Sequence, residues 1–154
     1  MRERMPLART AGEYAEVLSA EMVPAPEDVA MALDVQPGDL VVRRRRVTFE
    51  GETPTATSCG WFTSEVADAA PRLLQRERVR EDTTRYVEMR TGRGPCTARP
   101  ASAEELELLR LTGPEAVAES RHVAYCAEGR PLTYEVGISP AGRWARTEEY
   151  AMGR

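Results

Sequence analysis

The hydrophobic pattern of the first third of the chain predicts a strand, a helix and a hairpin. Residues 13–23 form a mixed apolar run that favours a first strand. A stretch that opens at Pro26 has apolar residues at helical spacing and acids in its first turn, which predicts a short helix. Residues 40–49 and 54–62 are β-rich and flank a short loop that contains glycine, so they predict a hairpin.

Three further helices are predicted, each beginning at a hydroxyl residue that can cap it. They begin at Ser64, at Thr83 or Thr84, and at Ser102, and they end near Pro71, Gly92 and Gly113. The segment Ser-Ala-Glu-Glu at Ser102 is the best capping signal in the chain, because a glutamate follows the hydroxyl residue by three positions.

The remaining β-rich runs complete the predicted order of elements. Residues 95–100 are predicted to form a strand, and residues 116–125 and 131–139 flank residues 127–130, a second glycine-containing hairpin loop. The predicted order is β-α-ββ-α-α-β-α-ββ, in which hairpins force antiparallel neighbours. We therefore expect an α+β fold, an antiparallel sheet with short helices packed on it, in one domain over residues 1–154.

Charge and composition narrow the classes of partner. The chain has 154 residues, a net charge of −4 and a pI of about 5.2, so its bulk charge disfavours phosphate backbones and anionic membranes. The first residues have no apolar leader, and no apolar run is long enough to span a membrane. Three cysteines without a C-x-x-C motif read as free thiols in a reducing compartment. We expect a cytoplasmic protein without a metal or other cofactor.

Four consecutive arginines, residues 43–46, are the most unusual local feature. Because strand side chains alternate, Arg44 and Arg46 point to one face and Arg43 and Arg45 to the other. Two neighbouring guanidinium groups can bind the oxygens of a phosphate or carboxylate. The alternative is an exposed strand whose arginines are solvated or paired with glutamates.

Other candidate residues carry weaker signals. Thr133 and Glu135 share a face of the last strand. His122 is the single histidine of the chain, which is too little for a metal cluster or a catalytic triad. No motif names a nucleophile or a nucleotide-binding loop.

The order of the elements and their turns resembles the UTRA domain, the effector-binding domain of HutC-type GntR regulators, whose fold is shared with chorismate lyase. The resemblance begins near Gly12 and runs almost to the C-terminus. It rests on the order and spacing of six segments: PEDVAMALDVQPGDLVVRRRRV, EGETP with ATSCGWF, RYVEMRTG, ASAEELELLRLTGPEAV, RHVAYCAEGRPLTYEVG and GRW. In that family a winged helix-turn-helix precedes the ligand domain, and these 154 residues leave no room for it. The sequence is then a piece of a regulator, a free-standing sensor or a relative that became an enzyme.

The resemblance also implies a ligand site. Its R-x-R anion grip falls on Arg44 and Arg46, and Ser58 stands where a carboxylate often contacts a sugar amine. Thr83 or Thr84 matches a hydroxyl position that helps to hold the anion. The family often has a carboxylate at the position of Thr133, and Glu135 is either its substitute or a surface residue.

Two classes of function remain open from the sequence. The first is a sensor that binds a small anionic or polar effector, forms a homodimer as UTRA domains commonly do, and does not bind DNA by itself. The alternative is an enzyme on the chorismate-lyase-like fold, in which Arg44 and Arg46 hold a substrate carboxylate and Glu135 or His122 moves a proton.

Overall fold

The computed structural model describes residues 13–75, 90–91 and 95–143. These residues form seven strands, three α-helices and two short 3-10 helices, Pro71–Leu74 and Ala141–Arg143. The strands are β1 Glu13–Pro24, β2 Leu40–Glu50, β3 Thr53–Phe62, β4 Arg90–Thr91, β5 Cys96–Pro100, β6 Ala116–Tyr125 and β7 Pro131–Pro140. The helices are α1 Glu27–Leu33, α2 Ser64–Ala69 and α3 Ala103–Leu108.

All seven strands join one antiparallel sheet. The order is β1-β2-β3-β7-β6-β4, and β5 also pairs with β6. Both predicted hairpins are present, as β2–β3 and β6–β7, and the predicted α+β class is confirmed. The turn of the first hairpin places Gly51 at a φ of 60°, a left-handed conformation that glycine adopts without steric cost.

The ends of the helices follow their local chemistry. The Ser102 hydroxyl accepts a hydrogen bond from the Glu105 amide, and the Glu105 carboxylate accepts one from the Ser102 amide, so the predicted cap of α3 is confirmed. This helix ends at Leu108, short of the predicted Gly113, because Arg110 takes a left-handed φ of 52° and ends the regular helix.

Three helix predictions need correction. Ser64 does not cap α2, because it is the first helical residue and Thr63 stands at the cap position without a side-chain hydrogen bond. The helix predicted to run from Thr83 or Thr84 to Gly92 lies mostly outside the described residues, but its last turn is wrong. Arg90–Thr91 is extended and pairs with β6. The 3-10 helix at Pro71–Leu74 was not predicted, since the second helix was expected to end there.

The two faces of the sheet are covered differently. Helices α1 and α3 pack on one face, which we call the helix face, against apolar side chains that include Val41, Tyr134 and Ile138. On the opposite face, α2 and the 3-10 helix cover one end of the sheet around Val42 and Phe62. This arrangement leaves the middle of the second face to polar side chains. No helix in the described part of the chain is long and apolar enough to cross a membrane.

Candidate functional site

The strand register brings the polar side chains of four strands into two adjacent rows. One row runs Arg44, Gly60, Glu135 and His122, and the next runs Arg46, Ser58, Gly137 and Ser120. Because side chains alternate along a strand, both rows and the neighbouring Thr133 lie on the face opposite to α1 and α3. We call these eight residues together with Thr133 the polar face.

Arg46 connects three strands of the polar face. Its Nε donates to the Ser58 hydroxyl over 2.8 Å, and its Nη2 donates to Glu135 Oε1 over 2.7 Å. The side chains of Arg46 and Glu135 are 23% and 28% exposed, so the ion pair is partly buried but still accessible to a ligand from solvent. His122 Nε2 lies 3.8 Å from the other carboxylate oxygen, Oε2. A polar chain therefore crosses β2, β3, β7 and β6.

Glu135 is the negatively charged member of this row of connected polar side chains. Burial alone would raise its pKa, but the charge and hydrogen bond of Arg46, the charge of His122 and the Ser58 hydroxyl together lower the pKa below its usual value. Glu135 is therefore ionised at neutral pH. A carboxylate that is ionised and paired in this way is a weak base, so it suits recognition better than proton transfer.

Arg44 lies on the same face but is buried, with 2% of its surface exposed. Its Nη1 donates to the main-chain carbonyls of Leu73 and Gln75 over 2.7 Å and 2.6 Å. Arg44 thus joins β2 to the end of the 3-10 helix. Sequence reasoning placed its face correctly but did not reveal these carbonyl partners.

Arg43 and Arg45 point to the helix face, as the alternation predicts. Arg43 pairs with Glu21 of β1 over 2.5 Å and lies above the ring of Trp61, and Arg45 pairs with Glu104 of α3. The paired-with-glutamate alternative therefore describes these two arginines, and it also describes Arg46, which pairs with Glu135 on the polar face. It does not describe Arg44.

The structure brings most of the predicted site residues together. Arg44, Arg46, Ser58, Thr133 and Glu135 lie on the polar face, and Thr83 and Thr84 lie outside the described residues. His122 was expected to act only in the enzyme alternative, as a residue that moves a proton, and the structure places it next to Glu135. The sequence signal was the predicted hairpin of β6 and β7, which are joined by residues 126–130 and whose register sets these two residues opposite each other.

Two glycines of the polar face, Gly60 and Gly137, have little room for a side chain. A Cβ atom at Gly137 would lie 3.0 Å from the Ser120 hydroxyl, and one at Gly60 would lie 3.1 Å from the ring of Phe62. A larger residue at either position would crowd the space above the sheet. At Gly137 the absence of a side chain leaves room for the Ser120 hydroxyl of β6.

A separate cavity of about 160 Å³ lies on the helix face, between α3 and the sheet. Arg45, Cys59, Glu104 and Leu108 are among its lining residues. Burial raises the pKa of the Cys59 thiol against the opposing charges of Arg43 and Arg45, so this thiol is protonated and poorly reactive at neutral pH. The charged groups at the cavity are already paired with each other.

An ion-pair network fastens α3 to the sheet beside this cavity. Arg99 donates to Glu105 over 2.7 Å and to Glu119 over 2.6 Å, and Arg121 donates to Glu119 over 2.6 Å. Hydrogen bonds from Arg99 lower the pKa of both glutamates, against the opposing effect of burial. The network satisfies its own charges and is structural.

Known proteins share both the sequence and the fold. Residues 14–144 match the UTRA domain. An uncharacterized helix-turn-helix-type transcriptional regulator of Rhizobium meliloti is 32% identical over 125 residues, covering 77% of this chain and 50% of the relative. The chain thus spans about half the length of that curated relative.

Solved structures with low sequence identity have the same fold. The ligand-binding domain of a proposed GntR-family regulator from Bordetella bronchiseptica superposes with a TM-score of 0.78 at 20% identity, covering 98% of this chain and 100% of that domain. The C-terminal domain of the histidine utilization repressor from Pseudomonas syringae gives 0.75 at 20% identity, covering 91% of this chain and 99% of that one.

The family match and the fold define an effector-binding regulatory domain of the GntR type. The chain belongs to the UTRA domain family. The enzyme alternative is not favoured, because the matched proteins are regulators or their ligand-binding domains.

Proposed function

We propose that this chain is the sensor part of a GntR-type transcription regulator and that it binds a small anionic or polar metabolite on the polar face. The observation that carries the proposal is the polar chain from Arg46 through Ser58 and Glu135 to His122, which is partly buried yet reaches water. A guanidinium in such a setting binds an anion more strongly than one in bulk water, because the local dielectric constant is lower.

Each predicted site residue has a part in this proposal. Arg46 contacts the anionic group of the ligand, and the buried charge of Arg44 adds attraction from below. Ser58 orients Arg46, and Thr133 and Glu135 reach the far end of the ligand. Contacts from Thr83 or Thr84 stay a prediction, because both lie outside the described residues.

The assembly and the setting are proposed on the same basis. The domain pairs as a homodimer in the cytoplasm, and the DNA contacts of the regulator come from a separate domain. The net charge of −4 supports this, since an acidic domain does not attract a phosphate backbone. Effector binding then shifts the equilibrium between two conformations or two arrangements of the dimer, in proportion to its differential affinity for them.

A thermal-shift screen followed by calorimetry tests the proposal. Sugar phosphates, amino acids and aromatic acids are added to the purified chain, because a ligand that binds only the folded state raises its stability. For any hit, Arg46→Ala should weaken binding by about 2 kcal/mol, or about 30-fold, while Arg43→Ala on the helix face should change it by less than about threefold. Equal effects from both variants would place the ligand elsewhere.

A further inference from the structure

Residues 101–115, which we call the α3 loop, leave the sheet and return to it at one place. They follow the end of β5 and precede the start of β6, where Pro100 and Ala116 are paired neighbours. The Ala101 amide donates to the Glu115 carbonyl over 2.9 Å and closes the base of the loop. A surface loop whose two ends lie together can move away from the sheet without breaking the pairing of any strand.

The apolar attachment of the α3 loop is small. Leu109 is buried and packs against Ile138, whereas Ala101 and Leu111 are only partly buried at the same cluster. No residue of the helix itself, Ala103–Leu108, is buried. Segments with few buried apolar contacts open at a lower cost in free energy than the rest of a domain.

Two ion pairs hold the first turn of α3 to the sheet. Glu104 pairs with Arg45 of β2, and Glu105 accepts a hydrogen bond from Arg99 of β5 over 2.7 Å. The side chains of Arg45 and Glu104 are 33% and 63% exposed. A pair this open to water contributes little to stability, so it holds the helix only weakly.

Arg110 fastens the other end of the helix to the first hairpin. Its Nη1 donates to the carbonyl of Glu52 in the β2–β3 turn over 3.0 Å, and its guanidinium lies 5.8 Å from the centre of the Phe49 ring. Arg110 is not among the residues that line the cavity below α3. This contact therefore holds the loop in place from outside the cavity.

The α3 loop covers the cavity of about 160 Å³ on the helix face. Leu108 of the loop lines one side of it, and Val136, Ile138 and Cys59 of the sheet line the other. The floor is therefore largely apolar and includes one half-buried thiol.

From this arrangement we propose that the α3 loop is a lid, which moves about the paired ends of β5 and β6 and opens the cavity on the helix face to solvent. Opening breaks the ion pairs with Arg45 and Arg99, withdraws Leu109 from its cluster and exposes the thiol of Cys59. The sheet stays intact. The lid lies on the face opposite to the proposed effector site, so neither depends on the other.

Thiol labelling of the whole chain measures the opening. Fluorescein maleimide is too large to enter the closed cavity, so it modifies Cys59 when the lid is open. Mass spectrometry of peptides gives a separate rate for each cysteine. Cys96 is exposed and gives the unhindered rate, whereas Cys126 is buried under α2 on the opposite face and reports global unfolding. We expect the rate at Cys59 to lie between these two.

Arg110→Met is the principal variant, because it loosens the lid without changing a residue at the cavity. It should raise the rate at Cys59 about threefold and leave the rate at Cys126 unchanged. Arg130→Met is the matched control, since it removes an exposed arginine that pairs with Glu65 of α2, away from the lid. That control should change the rate at Cys59 by less than about 1.5-fold.

A second pair of variants changes α3 itself. Glu104→Gln, which weakens the pair with Arg45, should raise the rate at Cys59 about twofold. Glu107→Gln removes the same charge from an exposed position of the same helix that forms no ion pair with the described residues, so the rate should stay unchanged. All rates are corrected for the thiolate fraction, which the pH dependence of labelling gives for each variant.

The three cysteines separate the outcomes. A rate that rises at Cys59 alone in Arg110→Met and Glu104→Gln supports the lid. Equal rates at Cys59 in these variants and the wild type would refute it. Rates at Cys59 and Cys126 that always change by the same factor would also refute it, because the thiol would then be exposed by global unfolding. Labelling of Cys59 as fast as Cys96 in the wild type would show that nothing covers the cavity.

Discussion

Replacing Arg44 with methionine should destabilise the domain much more than the same change at Arg43. Arg44 is 2% exposed and donates to the carbonyls of Leu73 and Gln75 over 2.7 Å and 2.6 Å. Methionine fills similar space but leaves both carbonyls without this donor. The Leu73 carbonyl is buried, so its loss costs more than that of Gln75, which is partly exposed.

The magnitude follows from these two bonds. A hydrogen bond to a charged group contributes about 1.5–3 kcal/mol, and an orphaned buried carbonyl costs about 1–3 kcal/mol. Removing the buried charge relieves part of its desolvation cost, so the net loss is about 3 kcal/mol. Because domains are stable by only about 5–15 kcal/mol, this is a large fraction of the total.

Urea denaturation followed by circular dichroism measures the loss. With a slope of about 2 kcal/mol per molar urea, the midpoint should fall by about 1.5 M in Arg44→Met. Arg43→Met, which removes a partly exposed ion pair with Glu21, should shift it by less than about 0.5 M. Equal shifts for the two variants would refute the anchoring role of Arg44.

Further predictions concern α3 and its ion-pair network. Arg99 holds the pKa of Glu105 and Glu119 in the folded protein below the value in the unfolded chain. The unfolded chain therefore binds protons at these two carboxylates more tightly than the folded protein does. The stabilisation from the network is present above about pH 5, and it is lost as the pH falls through the unfolded pKa towards the folded pKa. Urea midpoints measured from about pH 7 down to about pH 3 should fall more steeply in the wild type than in Glu119→Gln, and parallel curves would contradict this. Ser102→Ala should cost about 1 kcal/mol in the same assay, whereas Ser64→Ala, which removes no cap, should cost less than about 0.5 kcal/mol, and equal costs would be the contrary result.

Much of the fold was predictable because its signals are local. Alternating β-rich runs around glycine-containing loops predicted both hairpins, and the spacing of Ser102 and Glu105 predicted the cap of α3. The errors fall where tertiary contacts decide. Arg90–Thr91 is extended because it pairs with β6, a partner more than thirty residues away that no local pattern names.

The sequence predicted which face of the sheet the candidate site residues occupy, but it did not predict which groups they contact. Period 2 places Arg44 and Arg46 together, yet their environments differ. The carbonyls that bind Arg44 come from a 3-10 helix about thirty residues later, where the sequence predicted only the end of a helix. The closeness of His122 and Glu135 depends on the register of β6 and β7, which a one-residue shift would have abolished.

The most direct test of effector binding on the polar face is an NMR titration of the isotope-labelled chain with the best ligand from the screen. We predict that the largest backbone amide shifts fall on β2, β3, β6 and β7 around Arg46, Ser58, Gly137 and His122. Shifts confined instead to α3 and to the strand residues lining the cavity beside Cys59 would contradict the account, because the ligand would then lie on the helix face.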